Sequence, residues 1–182
     1  MYKLLAFILL SIPVVVISGK SLLHFNSHGF YRFLSWECIL WLLVSNILYW
    51  FTDPFNVFQI ISWVVLIASI YVVLAGVVLM KKVGKPHGDR EDRSLYAFEK
   101  TSELVQQGIF RYIRHPLYSS LLLLTWGIYL KQPTLILLPV AIASTVFLYL
   151  TAWFEEKEDI AYFGDVYREY MKKSKRFIPF VF

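Results

Sequence analysis

Residues 57–80 read VFQIISWVVLIASIYVVLAGVVLM, a run from Val57 to Met80 without one charged side chain. A helix of that length, rising ~1.5 Å per residue, crosses a hydrocarbon layer ~30 Å thick. Working outward, apolar runs recur at residues 4–18, 34–51, 116–130 and 133–154, separated by short polar punctuation. The whole chain of 182 residues is 58% hydrophobic and 18% aromatic, with a mean hydropathy of +0.56. One soluble core of this size could not hide so much apolar surface. The pattern predicts an all-α fold, a polytopic membrane bundle of about five transmembrane helices. Residues 1–80 form an N-terminal three-helix region, and 81–182 form a membrane hairpin with a cytoplasmic loop and a C-terminal helix.

The runs at 4–18 and 116–130 are short, so some ends are tucked into protein or the interface. The first run has the length of a signal-peptide core. Only Lys3 precedes it, however, and no small-x-small cleavage site stands near Ser18, so it reads as a span. Thr52–Asn56 and Lys131–Pro133 each carry a Pro that stops the preceding helix. Spans two and three are therefore expected to form one hairpin, and spans four and five a second. Cys38 is the sole cysteine, so there is no disulfide framework and no indication of redox compartment.

Charge gives the orientation. Segment 81–115 holds eight Lys or Arg, the tail after Phe154 holds six, and Lys20 and Arg32 join them on the same side. Lys3 and Lys131 stand on the other. The positive-inside rule then sets the N-terminus outside and the C-terminus in the cytoplasm. Topology and anionic membrane lipids account for the net charge of +5, and nothing calls for nucleic acid. The six tryptophans suit interfacial and packing roles. After span five, Ile160, Phe163, Val166, Tyr167 and Tyr170 recur at helical intervals among charged residues. They predict a separate amphipathic helix, with Gly164 in its middle required by close packing.

The stretch that carries chemistry is LVQQGIFRYIRHPLY, Leu104 to Tyr118. Pro116 suits a first helical turn, which leaves His115 at the cap of span four. The unpaired N–H groups of that helix start attract anions, and Arg111 and Arg114 deepen the positive potential. The bland alternative is an Arg-rich helix start that snorkels to lipid phosphate. Glu155 and Glu156 stand at the cytoplasmic end of span five, which the hairpin returns to the neighbourhood of Arg114 and His115. Two carboxylates at a helix C-terminus oppose the dipole, which points either to a ligand or to structural pairing with Arg111, Arg114 or Arg176. Glu37, an ionisable group within an apolar run near the cytoplasmic end of span two, is a functional suspect, with a structural role the simpler reading. His24 and His28 stand four apart, but no thiol or carboxylate accompanies them, so no metal site is expected. His87, between Pro86 and Gly88, reads as loop.

In order, Leu-Val-x-x-Gly-x-Phe-x-Tyr-x-Arg-His-Pro-x-Tyr, an apolar hairpin, Glu-Glu, Phe163-Gly164-x-x-Tyr167-x-x-Tyr170 and Arg176-Phe177-Ile178-Pro179 closely resemble the isoprenylcysteine carboxyl methyltransferase family. That grouping also includes phospholipid N-methyltransferases. The resemblance covers about residues 100–182. It implies an S-adenosylmethionine cofactor in a cytoplasm-facing pocket, lined by Leu104, Val105, Phe110, His115, Pro116 and Tyr118. Phe110 stands where a Tyr is common. Glu155 and Glu156 would take the ribose hydroxyls or the ammonium, and Arg114 and Arg176 would lie near the methyl acceptor. An arginine usual in relatives just before the paired glutamates is missing here, since Thr151–Phe154 supply none.

The implied activity is methyl transfer to a lipophilic acceptor, either the carboxylate of a prenylated or similar small molecule or a phospholipid amine. A carboxylate needs no general base, whereas an amine would need His115 or a glutamate to take its proton. Two other readings stand beside it. One is a membrane reductase using a nicotinamide cofactor, against which the short chain argues. The other is a non-enzymatic accessory protein of the same fold.

Overall fold

The computed structural model of the chain describes residues 2–84 and 103–180. His87 lies outside the described residues, as does most of the basic loop. The described part is helical: α1 (Tyr2–Leu22), α2 (His28–Asn46), α3 (Val57–Val83), α4 (Pro116–Tyr129), α5 (Leu138–Phe163) and α6 (Asp165–Lys173). Residues 2–19 of α1, all of α3 and all of α5 are long and apolar enough to cross a membrane. Helices α2 and α4, also expected as spans, pack among them. The bundle exterior is apolar, with Leu9, Val16, Val64, Ile67 and Tyr71 all more than 60% exposed. That suits lipid rather than water.

Lateral pairing differs from the first expected hairpin, while α4 and α5 are in contact as the second requires. Helix α3 packs chiefly on α4, and α2 on α5, rather than α2 on α3. The reason lies in a stripe on α3, where Gln59, Ser62, Leu66, Ser69 and Gly76 are its buried residues. Small side chains at seven-residue spacing let two helices approach closely where apolar burial gives no advantage over lipid. Ser62 Oγ donates to the Gly127 carbonyl at 2.7 Å, and Ser69 Oγ donates to the Ser120 carbonyl at 2.8 Å. Further along, Gly76 stands against Leu117 and Pro116. A second set of small hydroxyls joins three helices: Ser144 Oγ lies 2.9 Å from Ser35 Oγ and 3.0 Å from Thr125 Oγ1.

Other expectations are corrected by geometry. Helix α5 does not stop at Phe154 but continues through Glu155 and Glu156 to Phe163, so the pair is not at a helix C-terminus. The dipole argument made for it therefore lapses. The amphipathic stretch is not one helix either, because Gly164 separates α5 from α6 at φ 63° and ψ −135°. A Cβ added to Gly164 would meet nothing within 4 Å, so backbone conformation and not close packing requires glycine there. Glu37 sits midway along α2 rather than near its end, and accepts a 2.6 Å hydrogen bond from Ser11 of α1.

Lys131, at the turn between α4 and α5, is buried. Its Nζ stands 3.6 Å from the Trp63 ring centre and 3.1 Å from Gln59 Oε1. Trp126 donates to Thr145 Oγ1 at 3.2 Å. At least these tryptophans serve packing, as expected.

Candidate active site

The loop before α4 is built against two neighbours. Gly108 adopts φ 55°, the left-handed region that favours glycine, and packs against the end of the Leu79 side chain on α3. A short helical turn over Gly108–Arg111 follows. Residues 112–115 then run beside the C-terminal segment 175–177. Lys175 N donates to the Tyr112 carbonyl at 2.9 Å, Arg114 N to Lys175 at 2.7 Å, and His115 N to Arg176 at 3.2 Å. Tyr170 Oη donates to the Phe110 carbonyl at 2.6 Å. These bonds carry residues 175–177 to the start of α4, where Pro116 occupies the first turn.

A buried ionic cluster forms at this junction. Glu156 Oε1 accepts from Arg114 Nε at 3.0 Å and from Arg176 Nε at 3.1 Å, while its Oε2 accepts from Arg176 at 2.5 Å. Arg114 also donates to the carbonyls of Met171 and Ser174. His115 lies between the glutamates, with Nδ1 3.2 Å from Glu155 Oε2 and Nε2 3.4 Å from Glu156 Oε1. Burial favours its neutral form, but the carboxylates of Glu155 and Glu156 outweigh that and hold the imidazole pKa up at about 9. His115 is therefore a cation at neutral pH. Its ring stacks on Tyr118 with centres 5.6 Å apart.

Above the cluster opens a cavity at the junction of the loop before α4 with α5 and α6. Leu104, Val105, Phe110, Arg114, His115, Pro116, Tyr118 and Glu155 all line it. Glu156 and Arg176 do not; they form the charged floor behind His115. Sequence reasoning did not single out Met80, Leu117 or Asp159, which also line the cavity with Phe163, Tyr167 and Tyr170. The signal available for Asp159 was its position four residues after Glu155, on the same helix face. Glu155 Oε2 is buried on this wall, without a hydrogen bond of good geometry among the described residues.

Fold and site together define a helical membrane protein with a cavity at one end of its bundle, carrying carboxylates on one wall and a helix start with Arg114 and His115 on another. The chain belongs to the phospholipid methyltransferase family, whose model matches residues 57–165, from the start of α3 into α6. Among curated proteins, a methanethiol S-methyltransferase from Pseudomonas deceptionensis is 30% identical over 71 residues, covering 39% of this chain. The match spans only 26% of that relative's length. No solved structure matches the chain significantly. The family expected from the motifs is thus the one found.

Proposed function

We propose that this protein is an S-adenosylmethionine-dependent membrane methyltransferase that binds its cofactor in the cavity at the start of α4. One observation carries the reading. Segments far apart in sequence bring Leu104, Val105, Phe110, His115, Pro116, Tyr118 and Glu155 around a single space. The residues fit the group chemically. A cofactor with two cationic centres and a carboxylate suits Glu155 and Asp159 on one side, and the start of α4 with Arg114 on the other. Phe110, Phe163 and Val105 offer apolar surface for the adenine. Glu155, on the cavity wall beside His115, is the carboxylate best placed to meet a cofactor hydroxyl or ammonium.

The bound cofactor would supply an electrophilic methyl group on a sulfonium. The protein's own work is to orient and to exclude water. Arg114 and Arg176 hold Glu156, and of the two it is Arg114, which lines the cavity, that would meet an acceptor carboxylate. His115, charged at neutral pH, is a poor base. A thiol or amine acceptor would therefore give its proton to Asp159, because Glu155 is already paired with the charged imidazole of His115. A lipophilic acceptor, whether an amine lipid, a prenylated carboxylate or a thiol as in the relative's name, would enter sideways from the bilayer. The basic loop and tail support a cytoplasmic cavity and an outside N-terminus, by the positive-inside rule.

Isothermal titration of the detergent-purified protein with S-adenosylmethionine and with its demethylated product tests this. Saturable binding is expected, weakened about tenfold or more in Glu155→Ala, as for a lost charge-assisted contact. A well-folded wild type that binds neither overturns the proposal.

A further inference from the structure

The family match begins at residue 57, beyond α2, yet one α2 side chain reaches the cavity wall from behind. His28 is the first residue of α2 and has no exposed surface, and its Nδ1 lies 2.5 Å from Glu158 Oε2. Glu158 follows Glu155 by three positions on α5, so the two project about one turn apart on neighbouring faces. Asp159, beside Glu158, lines the cavity together with Glu155. We propose that His28 is a positioning residue of this site: by holding Glu158, it fixes the turn of α5 that presents Glu155 and Asp159 to the cofactor. The inference rests on the cofactor reading above.

Three features favour it. First, α5 carries its glutamates on a stretch gripped from two sides. Arg114 and Arg176 hold Glu156 at the front, and His28 holds Glu158 at the back. Tyr31 of α2 stacks on Phe154 with ring centres 5.1 Å apart, just before the pair. Glu155 is left between these anchors, facing the cavity.

Second, His28 Nε2 is buried with no hydrogen bond among the described residues. A leucine or phenylalanine would fill the same space without leaving a polar atom unsatisfied. What an apolar residue could not do is hold Glu158.

Third, the Glu158 carboxylate meets the first residue of α2, where unpaired backbone N–H groups attract negative charge. The charged groups acting on the imidazole are Glu158, Glu155 and Arg32, so it belongs electrostatically to the same cluster as the cavity carboxylate.

The test exploits which nitrogen is used. In His28→Asn the amide nitrogen stands where Nδ1 was; in His28→Gln it stands where Nε2 was. The demethylated cofactor is titrated into detergent-purified wild type, these two variants, His28→Ala and Glu158→Leu, with thermal midpoints recorded for each. His28→Asn should bind within about twofold of wild type, and the other three about fivefold or more weaker, the scale of one lost hydrogen bond. His28→Gln should lose affinity beyond what its midpoint explains, whereas Gly127→Ala, which does not line the cavity, should lower the midpoint while keeping wild-type affinity. Should His28→Ala fail to fold, Glu158→Leu, at a partly exposed position, carries the comparison. Wild-type affinity in His28→Gln and Glu158→Leu, or an equal loss in His28→Asn and His28→Gln, overturns the proposal while leaving the cofactor reading intact. A wild type that binds nothing overturns both.

Discussion

Arg176 grips Glu156 through two guanidinium nitrogens, at 3.1 and 2.5 Å, and so ties the C-terminal segment to the middle of α5's last turns. Arg114 closes the same carboxylate from the loop before α4. One buried glutamate thus joins α5 to two segments that already meet through the backbone bonds between residues 112–115 and 175–177.

Removing that glutamate strands two largely buried arginines. Glu156→Ala should destabilise the protein by about 3–5 kcal/mol, the range for breaking a buried ion pair from one side. Thermal unfolding in detergent measures it. Adding Arg176→Met to Glu156→Gln should recover part of the loss, because removing both partners relieves the stranded charge. A double variant no better than the single one would show that the pair is not the source of the effect.

The ionisation of His115 makes a pH prediction. Its folded pKa, about 9, lies above the ordinary value of 6.5, raised by Glu155 and Glu156 against the opposing effect of burial. Folded protein therefore binds the proton more tightly than unfolded protein does. The stabilisation is complete below about pH 6.5 and is lost as pH rises through about 9. Melting midpoints should fall across that window in wild type and fall less in His115→Gln. Parallel profiles would contradict a charged His115.

Gly127 faces Leu66 across the α3–α4 contact, where an added Cβ would come within 2.7 Å of Leu66 Cδ2 and 2.8 Å of its Cγ. Leu66 is buried, so it has little room to yield. Gly127→Ala should cost about 1–3 kcal/mol, the usual range for overpacking. It should also weaken the Ser62 hydrogen bond to the Gly127 carbonyl. The same change at Gly19, which meets nothing within 4 Å, serves as the control, and similar melting of the two variants would argue against the close contact.

Tyr170 holds the Phe110 carbonyl from α6. Tyr170→Phe leaves that buried carbonyl without its hydroxyl donor, at a cost of about 1–3 kcal/mol. Because Phe110 lines the cavity, affinity for the demethylated cofactor should fall together with stability. Unchanged binding beside a lowered midpoint would separate this loop from the cofactor.

Much of this was legible in the sequence, because its signals are local or come in pairs at chain turns. The charge-free run from Val57 to Met80 dictates a membrane helix, since only internally bonded backbone survives in hydrocarbon. Pro116 fixes the start of α4, and the turn around Lys131–Pro133 returns Glu155 and Glu156 to His115. Ser62, Ser69 and Gly76 were also there to be read at seven-residue spacing. Their meaning depends on which helix they face, and hydropathy does not say.

What the chain determined alone is its helices, its membrane setting and the motifs that mark the family, because each follows from backbone chemistry and side-chain type within a short stretch. Tertiary structure alone decided that α3 lies on α4 and α2 on α5, that residues 175–177 run beside residues 112–115, and that His28 meets Glu158. In lipid one apolar surface packs as well as another. The choice among partners therefore falls to small-residue stripes and buried hydrogen bonds, and these exist only once two distant segments meet.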